Sequence, residues 1–524
     1  MPHPPSAVKS ALHALLDEVV DPLLEQAACA APDLNARSAE EGCWAAVTRL
    51  GSALLTHVLG LWCRTVAEQE VRDRGWTLSD ADGDGPRARF RLDEDYLAHF
   101  NSTFGRIAVP LFAIRTPGPR STTVTPTRSL FPHYPRMRST DLLLQWECAV
   151  AADHPFRKAA DALLFFSHEA IDIEDTTVER HAVLIGNAVP KEWLYLSPET
   201  IRDILDKRAV RDSKTGRPII YASTDAHALK RFVDEKWNPR WKMTNGIRVW
   251  AVDRKTGATI HIGGEYTWGD CMEVRERFEW LQQAGILPVD GDYGDGVVAQ
   301  VALLTDGLDW IADYVLPLFP GAVLALDPYH VLQHVNDAAK KAFPGKKAAN
   351  KKKVKTTLAK ARKALGIRKR RGRTVYRKGN NRILHKTRKT GYDGSGQRLL
   401  DEVLWPLLAD AKRAIDPTGQ DVDPTEQQEQ AIARIEQAIA YVDRNLYRLD
   451  YGDLRTRGFQ IGSGAMESLH RTGSQVRLKR AGCHWTAEAA QAILNLRMLG
   501  LSGRWREYWN QPTPPHIEPL GLAA

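Results

Sequence analysis

The 524-residue sequence contains no Cys-x-x-Cys pair. Its six cysteines, Cys29, Cys43, Cys63, Cys148, Cys271 and Cys483, stand far apart. That spacing argues against a disulfide scaffold and a cysteine zinc site, and it suits a reducing cytoplasm. Long apolar runs are missing too. The most apolar stretch, around Ser52–Trp62, is interrupted by His57 and followed by Arg64. It falls well short of about 18 residues, so no membrane span is expected. The opening MPHPPSAVKSALHALLDEVV has no basic segment leading into an apolar run, so no secretory signal is expected. Neither a Gly-x-x-x-x-Gly-Lys-Ser/Thr loop nor a Gly-x-Ser-x-Gly elbow occurs, which disfavours ATP-driven chemistry and a serine nucleophile of the elbow type.

Acids are absent from one long stretch. Lys340 to Lys389 holds 22 Lys or Arg and no Asp or Glu, so the net charge of +8 leaves −14 on the rest of the chain. The basicity is therefore local and suited to a polyanion, whose counterions are released when its phosphates are neutralised. Expected phosphate contacts are Lys351, Lys352, Lys353, Arg368, Lys369, Arg370, Arg371 and Arg373. The stretch lacks the bulky apolar face that would anchor it to a membrane.

What is present is enough for a large core. Hydrophobic residues make up 43% and charged residues 26%, which excludes a disordered chain and allows several domains. Residues 1–75 read as a helical domain. Val8, Leu12, Leu15, Val19 and Leu23 recur at helical spacing, as do Trp44, Val47, Leu50, Leu54, Val58 and Leu61. Both stripes are expected to pack inward, with a dimer contact as the other use. Residues 76–138 are a mixed strand and loop segment, in which Pro110 marks Ile107–Ile114 as an edge or bulged strand. Residues 139–200 include a helix over His154–Phe166, a break at IDIED, and a helix from about Thr176 to Asn187 with Asp175 as its N-cap. That pattern fits a DNA-reading helix-turn-helix and equally a packed helical hairpin.

Residues 215–335 change character. Strands are expected at Arg217–Thr224, Gly246–Val252, Ala258–Ile262, Val297–Leu304 and Ala322–Leu326. Helices are expected at about Gly269–Ala284, Trp310–Leu316 and Tyr329–Lys341. Three strands in meander, followed by helix, strand, helix, strand and helix, is the order of an RNase H-like α/β core. The expected fold is such a core, interrupted by a mostly helical basic insertion at 336–455, resumed at 456–510 and preceded by α-helical N-terminal domains. Residues 511–524 form a tail.

Three acids stand at stations with chemical logic. Asp225 follows the first core strand, Asp306 follows the fourth, and Glu467 opens a helix in Gly462-Ser-Gly-Ala-Met-Glu467. In that strand order the first and fourth strand ends are neighbours, and a helix beside them can deliver the third acid. Such a cluster would hold two Mg²⁺ ions through hard oxygen ligands, and two metals clamp the attacking and leaving oxygens of phosphoryl transfer. A lone Asp after a strand is commonly a turn residue; three at these stations, flanking a basic insertion, outweigh that reading. Asp290-Gly-Asp-Tyr-Gly-Asp295-Gly is a turn rather than a calcium loop, because Gly294 and Val301 occupy ligand positions. Gly462-Ser-Gly464 lacks the βαβ unit of a dinucleotide site.

Several segments carry a family resemblance. They are Thr305-Asp306-Gly-Leu-Asp-Trp310, Leu326-Asp327-Pro-Tyr-His330-Val-Leu-Gln-His334, Ile461-Gly-Ser-Gly-Ala-Met-Glu467, Arg477-Leu-Lys-Arg-Ala-Gly482 with Trp485, and Leu501-Ser-Gly-Arg-Trp-Arg-Glu-Tyr-Trp509. The chain resembles a DDE-class bacterial insertion-sequence transposase of the ISKra-type group, with more distant similarity to Mutator and hAT elements. The resemblance implies Asp225, Asp306 and Glu467 as the catalytic, metal-binding triad, with Mg²⁺ as cofactor and Mn²⁺ able to substitute. It also implies double-stranded DNA as partner, a homodimer or higher oligomer on that DNA, and a bacterial, nucleoid-associated location. Asp327 and His330 match the acid-x-x-His motif of the Mutator and hAT relatives, which implies active-site support. Physically, Asp327 would cap a helix while His330 faces the strand ends. Arg477, Lys479, Arg480 and Trp485 would hold a DNA end by phosphate contact and base stacking.

Two departures stand out. Related transposases often carry a Cys-x-x-Cys pair where this chain reads TTVTPTRSLFPHYP, and the first acid sits in STDAHAL rather than an Asp-Gly setting, which leaves Asp234 as the alternative first acid. Another class remains open, a non-catalytic DNA-binding protein such as a repressor or a domesticated relic. A bare nuclease would not need the roughly 160 residues between Asp306 and Glu467.

Overall fold

In a computed structural model, the described residues are 5–28, 36–78, 86–91, 97–131, 133, 136–232, 239–367, 369–370, 373–374, 394–415, 423–518 and 520. Asp234, Arg368 and Arg371 lie outside them. The architecture is mixed α/β in two compact units. One comprises residues 1–190, 488–497 and 505–524; the other comprises 191–487 and 498–504.

The first unit opens with helices α1 (Pro5–Ala28) and α2 (Ala36–Asp73). Strands β1 (Thr77–Leu78), β2 (Arg87–Arg91), β3 (Leu97–Ser102), β4 (Gly105–Pro110), β5 (Ala113–Arg115) and β6 (Thr123–Val124) follow. They form a sheet of order β1-β2-β5-β6 and a separate β3-β4 hairpin that ends at Pro110. Cys63, Ala67 and Val71 of α2 enter a core with Phe100, Ile107 and Val109 of that hairpin. The stripe expected to pack inward is turned the other way. Val47 is 55% exposed, Leu54 48%, Val58 53% and Leu61 40%. The physical reason is that α2 is apolar on both flanks, and its small residues Cys63, Ala67 and Gly60 allow the hairpin a closer approach than the bulky flank would.

Helices α3 (Asp141–Asp153), α4 (Phe156–Phe166) and α5 (Asp175–Ala188) complete the unit. Glu174, not Asp175, holds the N-cap position of α5. The α4–α5 pair packs as a helical hairpin. Val178, His181, Ala182 and Ile185 of α5 are buried, Gly186 lies against the Ala492 backbone, and the start of α5 presents the acids Asp172, Glu174 and Asp175.

The second unit is built on a five-stranded sheet. Helix α6 (Pro198–Lys207) precedes β7 (Ile219–Phe232), β8 (Pro239–Val252), β9 (Thr259–Thr267), α7 (Cys271–Gln283), β10 (Gln300–Thr305) and β11 (Val323–Leu326). The order across the sheet is β11-β10-β7-β8-β9. The pairs β7–β8 and β8–β9 are antiparallel; β10 runs parallel to β7 and to β11. The first strand does not stop at Thr224. It continues through Asp225 to Phe232, because β8 keeps pairing with it as far as Phe232↔Pro239.

Beyond β11 come α8 (Pro328–Ala342), α9 (Ala348–Ala364), α10 (Glu426–Arg444), α11 (Gly464–Leu469) and α12 (Ala487–Leu501). The basic insertion is not a separate core. Ala361, Ala364, Leu399, Leu404 and Ile435 share one buried cluster with Tyr221, Trp250, Leu304 and Leu326 of the sheet.

Candidate active site

The parallel registers determine which strand ends meet. Gln300 pairs with Ile219 and Leu303 with Ala222, while Thr305 pairs with Leu326. Carried on to the next residues, those registers set Asp306 level with Asp225 on one side and with Asp327 on the other. Three aspartates therefore share one line across three adjacent strands, where β10 and β11 end and β7 runs on.

The three side chains are held differently. Asp225 and His227 project to the same face of β7, since side chains alternate along a strand. His470 Nε2 lies 3.4 Å from Asp225 Oδ2, and the His227 and His470 ring centroids are 4.3 Å apart. Tyr266 Oη and His470 Nδ1 are 3.3 Å apart. Burial opposes ionisation of Asp225, but the contact with His470, the N–H donated by Ala226 and the nearby His330 together outweigh it and hold the carboxyl below the usual range. At Asp306 burial dominates. The nearby Asp225 charge adds to it, against an N–H donated by Leu308, and the carboxyl is raised. Two carboxylates pressed into a half-enclosed place, with one forced toward the protonated form, is an arrangement a divalent cation would relieve.

Asp327 does two jobs. Its Oδ2 accepts the His330 backbone N–H at 3.3 Å, capping α8, and lies 2.9 Å from His330 Nδ1. Its Oδ1 accepts the Ser463 backbone N–H at 3.0 Å, which fastens the entry to α11. Burial disfavours the charged form of His330, yet Asp327, Asp306 and Asp225 together raise it above the ordinary histidine value.

Glu467 is brought to the sheet but not into the cluster. Helix α11 lies over β7 and β8, and Met466 and His470 face Gly246, the partner of Asp225. Glu467 is one residue round from Met466 and points to solvent. Among the described residues its carboxylate has no hydrogen-bond or ion-pair partner, and no three His, Cys, Asp or Glu side chains are grouped to hold a metal ion. A π-helical turn, His470–Gln475, follows at once, a local irregularity frequent at functional sites.

Sequence reasoning missed the supports around these acids. Tyr441 Oη donates to the Asp306 carbonyl at 2.5 Å, Tyr451 Oη to the Leu326 carbonyl at 2.6 Å, and buried Arg448 to Thr305 Oγ1 at 2.8 Å. These residues come from the far end of the insertion, and no spacing announces them. His470, one turn from Glu467 on its helix, was within reach of a helical-face argument.

The basic residues divide into two kinds. Lys351, Lys352 and Lys353 are exposed on α9, as are Lys479 and Arg480 beyond Glu467. Lys369, Arg370 and Arg373 lie in a pair of two-residue strands. Arg477 and Trp485 depart from expectation. Arg477 is 1% and Trp485 6% exposed; the guanidinium sits 4.7 Å above the indole, whose Nε1 donates to the Leu478 carbonyl. Their cation–π stack is part of the packing beside β7 rather than a free surface for phosphate or bases.

No protein-family model and no curated protein matches the chain. Among solved structures, the Drosophila P element transposase strand transfer complex aligns with a TM-score of 0.29 and 11% identity, over 70% of this chain and 93% of that one. A likeness of that size defines neither the fold nor the activity.

Proposed function

We propose that the chain is a DDE-type transposase of an insertion sequence, built on an RNase H-like core and acting on the ends of its element. The observation that carries this reading is the alignment of Asp225, within β7, with Asp306, just past the end of the neighbouring parallel strand β10, with Asp306 raised by burial and by Asp225. The strand order, three antiparallel strands followed by two parallel ones, supports the RNase H-like assignment. The exposed lysines of α9 support DNA as the substrate.

In this reading Asp225 and Asp306 would hold Mg²⁺, and Glu467 would be the third ligand. Their hard carboxylate oxygens suit that ion. When bound, it would stabilise charge on the attacking and leaving oxygens of phosphoryl transfer. The chain's own residues perform the rest. His470 orients Asp225 and favours its charged form, and Asp327 favours the charged form of His330 beside the acids, where a phosphate would enter. Hydrolysis adds water across one phosphodiester and leaves a free 3′-hydroxyl. In strand transfer that hydroxyl attacks a target phosphodiester: a new P–O bond forms to the element's 3′-oxygen, the target's own P–O3′ bond breaks, the attacking hydroxyl's proton goes to solvent, and the departing target 3′-oxygen takes one up.

The second reading, a DNA-binding protein without catalysis, is favoured by one observation: the Glu467 carboxylate stands apart from the two aspartates. Strand cleavage on DNA carrying the gene's own flanking ends, with Mg²⁺ and then with EDTA, separates the two. Metal-dependent cuts abolished in Asp306→Asn and Glu467→Gln, with binding retained, establish the enzyme. Salt-sensitive binding without a cut, even with Mn²⁺, establishes the binding protein.

A further inference from the structure

Helix α2 has an apolar face that nothing described covers. Val47, Leu54, Val58 and Leu61 are between 40% and 55% exposed, with half-buried Leu50 among them. They recur at three- and four-residue steps, the spacing of a seam that pairs with another helix. The opposite flank is already used, by Cys63, Ala67 and Val71 in the unit's core, and Arg49 ties to Glu18 of α1 on that side. By length and composition α2 could also cross a membrane, and only 17% of its most apolar window is buried inside the chain.

We propose that this face is the contact between two copies of the chain, with the two α2 helices antiparallel. Three observations carry it. The first is self-complementarity. Antiparallel pairing centred at residue 56 sets Leu54 against the other copy's Val58, Leu50 against Trp62, and Val47 against the exposed Thr65. A two-fold axis makes every such contact twice. The second is charge. The same pairing sets exposed Glu40 against Arg72, and Arg72 reaches only Gln69 of its own helix among the described residues. Parallel pairing would instead oppose Glu40 to Glu40 and Arg72 to Arg72. The third is area. Val47, Leu50, Leu54, Val58, Leu61 and half-exposed Trp62 offer on the order of 500 Å² per copy, so a pair buries about 1,000 Å², the lower bound for a specific interface. A lipid bilayer is the poorer occupant, because the other flank of α2 is held against a strand hairpin and an Arg–Glu pair.

The test uses the full chain without DNA in sedimentation velocity at micromolar concentrations. The expected result is a dimer that becomes a monomer in Leu54→Glu/Val58→Glu, with an unchanged far-ultraviolet spectrum, and a thermal midpoint that depends on concentration in wild type but not in the variant. Glu40→Arg should weaken the dimer several-fold, and Glu40→Arg/Arg72→Glu should restore it. A wild-type monomer throughout the range, or a dimer indifferent to Leu54→Glu/Val58→Glu, overturns the proposal. Flotation of wild type, but not of that variant, with phosphatidylcholine–phosphatidylglycerol vesicles also overturns it, in favour of a membrane. A dimer weakened at residues 54 and 58 but not restored by the charge exchange overturns the antiparallel arrangement.

Discussion

At Asp306 burial and the charge of Asp225 act in the same direction, and both oppose ionisation. A carboxyl raised in the folded state favours folding below its unfolded value and opposes it once pH rises through the folded value. Asp306→Asn removes that opposition. Thermal melts in EDTA should show the variant more stable than wild type at neutral pH, with the advantage vanishing under acid conditions. Asp212 has the opposite sign. Burial opposes its charge, but Arg457, the Lys214 N–H and Thr215 prevail and lower it from 3.8 to about 2. The stability it adds is present above 3.8 and disappears as pH falls toward about 2. Arg457→Ala leaves that carboxylate buried and without its cation, at a cost of about 3 kcal/mol in urea titration at neutral pH. None of this was legible beforehand. Asp212 and Arg457 are far apart in sequence, and the pairing exists only because the loop before β7 folds against the helix at Tyr451–Arg457.

Among the elements, β8 and α11 are coupled through one glycine, Gly246, the partner of Asp225. A Cβ at Gly246 would stand 2.8 Å from His470 Cε1 and 2.9 Å from Tyr266 Cε1, and it would collide with Met466. Gly246→Ala should therefore lift α11, at about 1–3 kcal/mol for overpacking. If the chain is the transposase proposed, the substitution should also reduce end cleavage more than DNA binding, read by comparing cleavage rate with gel-shift affinity. On α9, replacing Lys351, Lys352 and Lys353 by Ala should flatten the salt dependence of DNA binding, by about 0.9 in log–log slope for each phosphate no longer neutralised. The elements themselves were largely readable. The α8 start followed from Asp327-Pro, and each core strand appeared, although β7 runs on to Phe232 and β8 starts as early as Pro239, well outside the expected bounds. Orientation was not readable. The α2 stripe has the right period for a core face, but periodicity cannot say which of two apolar flanks a hairpin will choose. Trp485 and Arg477 looked like surface chemistry because a basic, aromatic loop reads the same whether or not a cation–π stack folds it inward.

Across the whole molecule, the charge asymmetry and the two cores set the behaviour. The first unit closes on Cys63, Phe100 and their neighbours; the second closes on the sheet together with the insertion. Calorimetry should resolve two unfolding transitions, and Arg457→Ala should lower only one, because Asp212 and Arg457 both belong to the second unit. The reach of the insertion was the hardest feature to foresee. Its helices read as an appendage of basic composition, yet Ala361 and Leu399 are buried with Leu304 and Leu326. A ligand that binds only the folded form protects everything that unfolds with its site. Heparin on α9 should thus slow proteolysis at β10 and β11, which share its core cluster. A chain joined in this way is longest-lived when occupied, so its turnover would follow the amount of nucleic acid open to it.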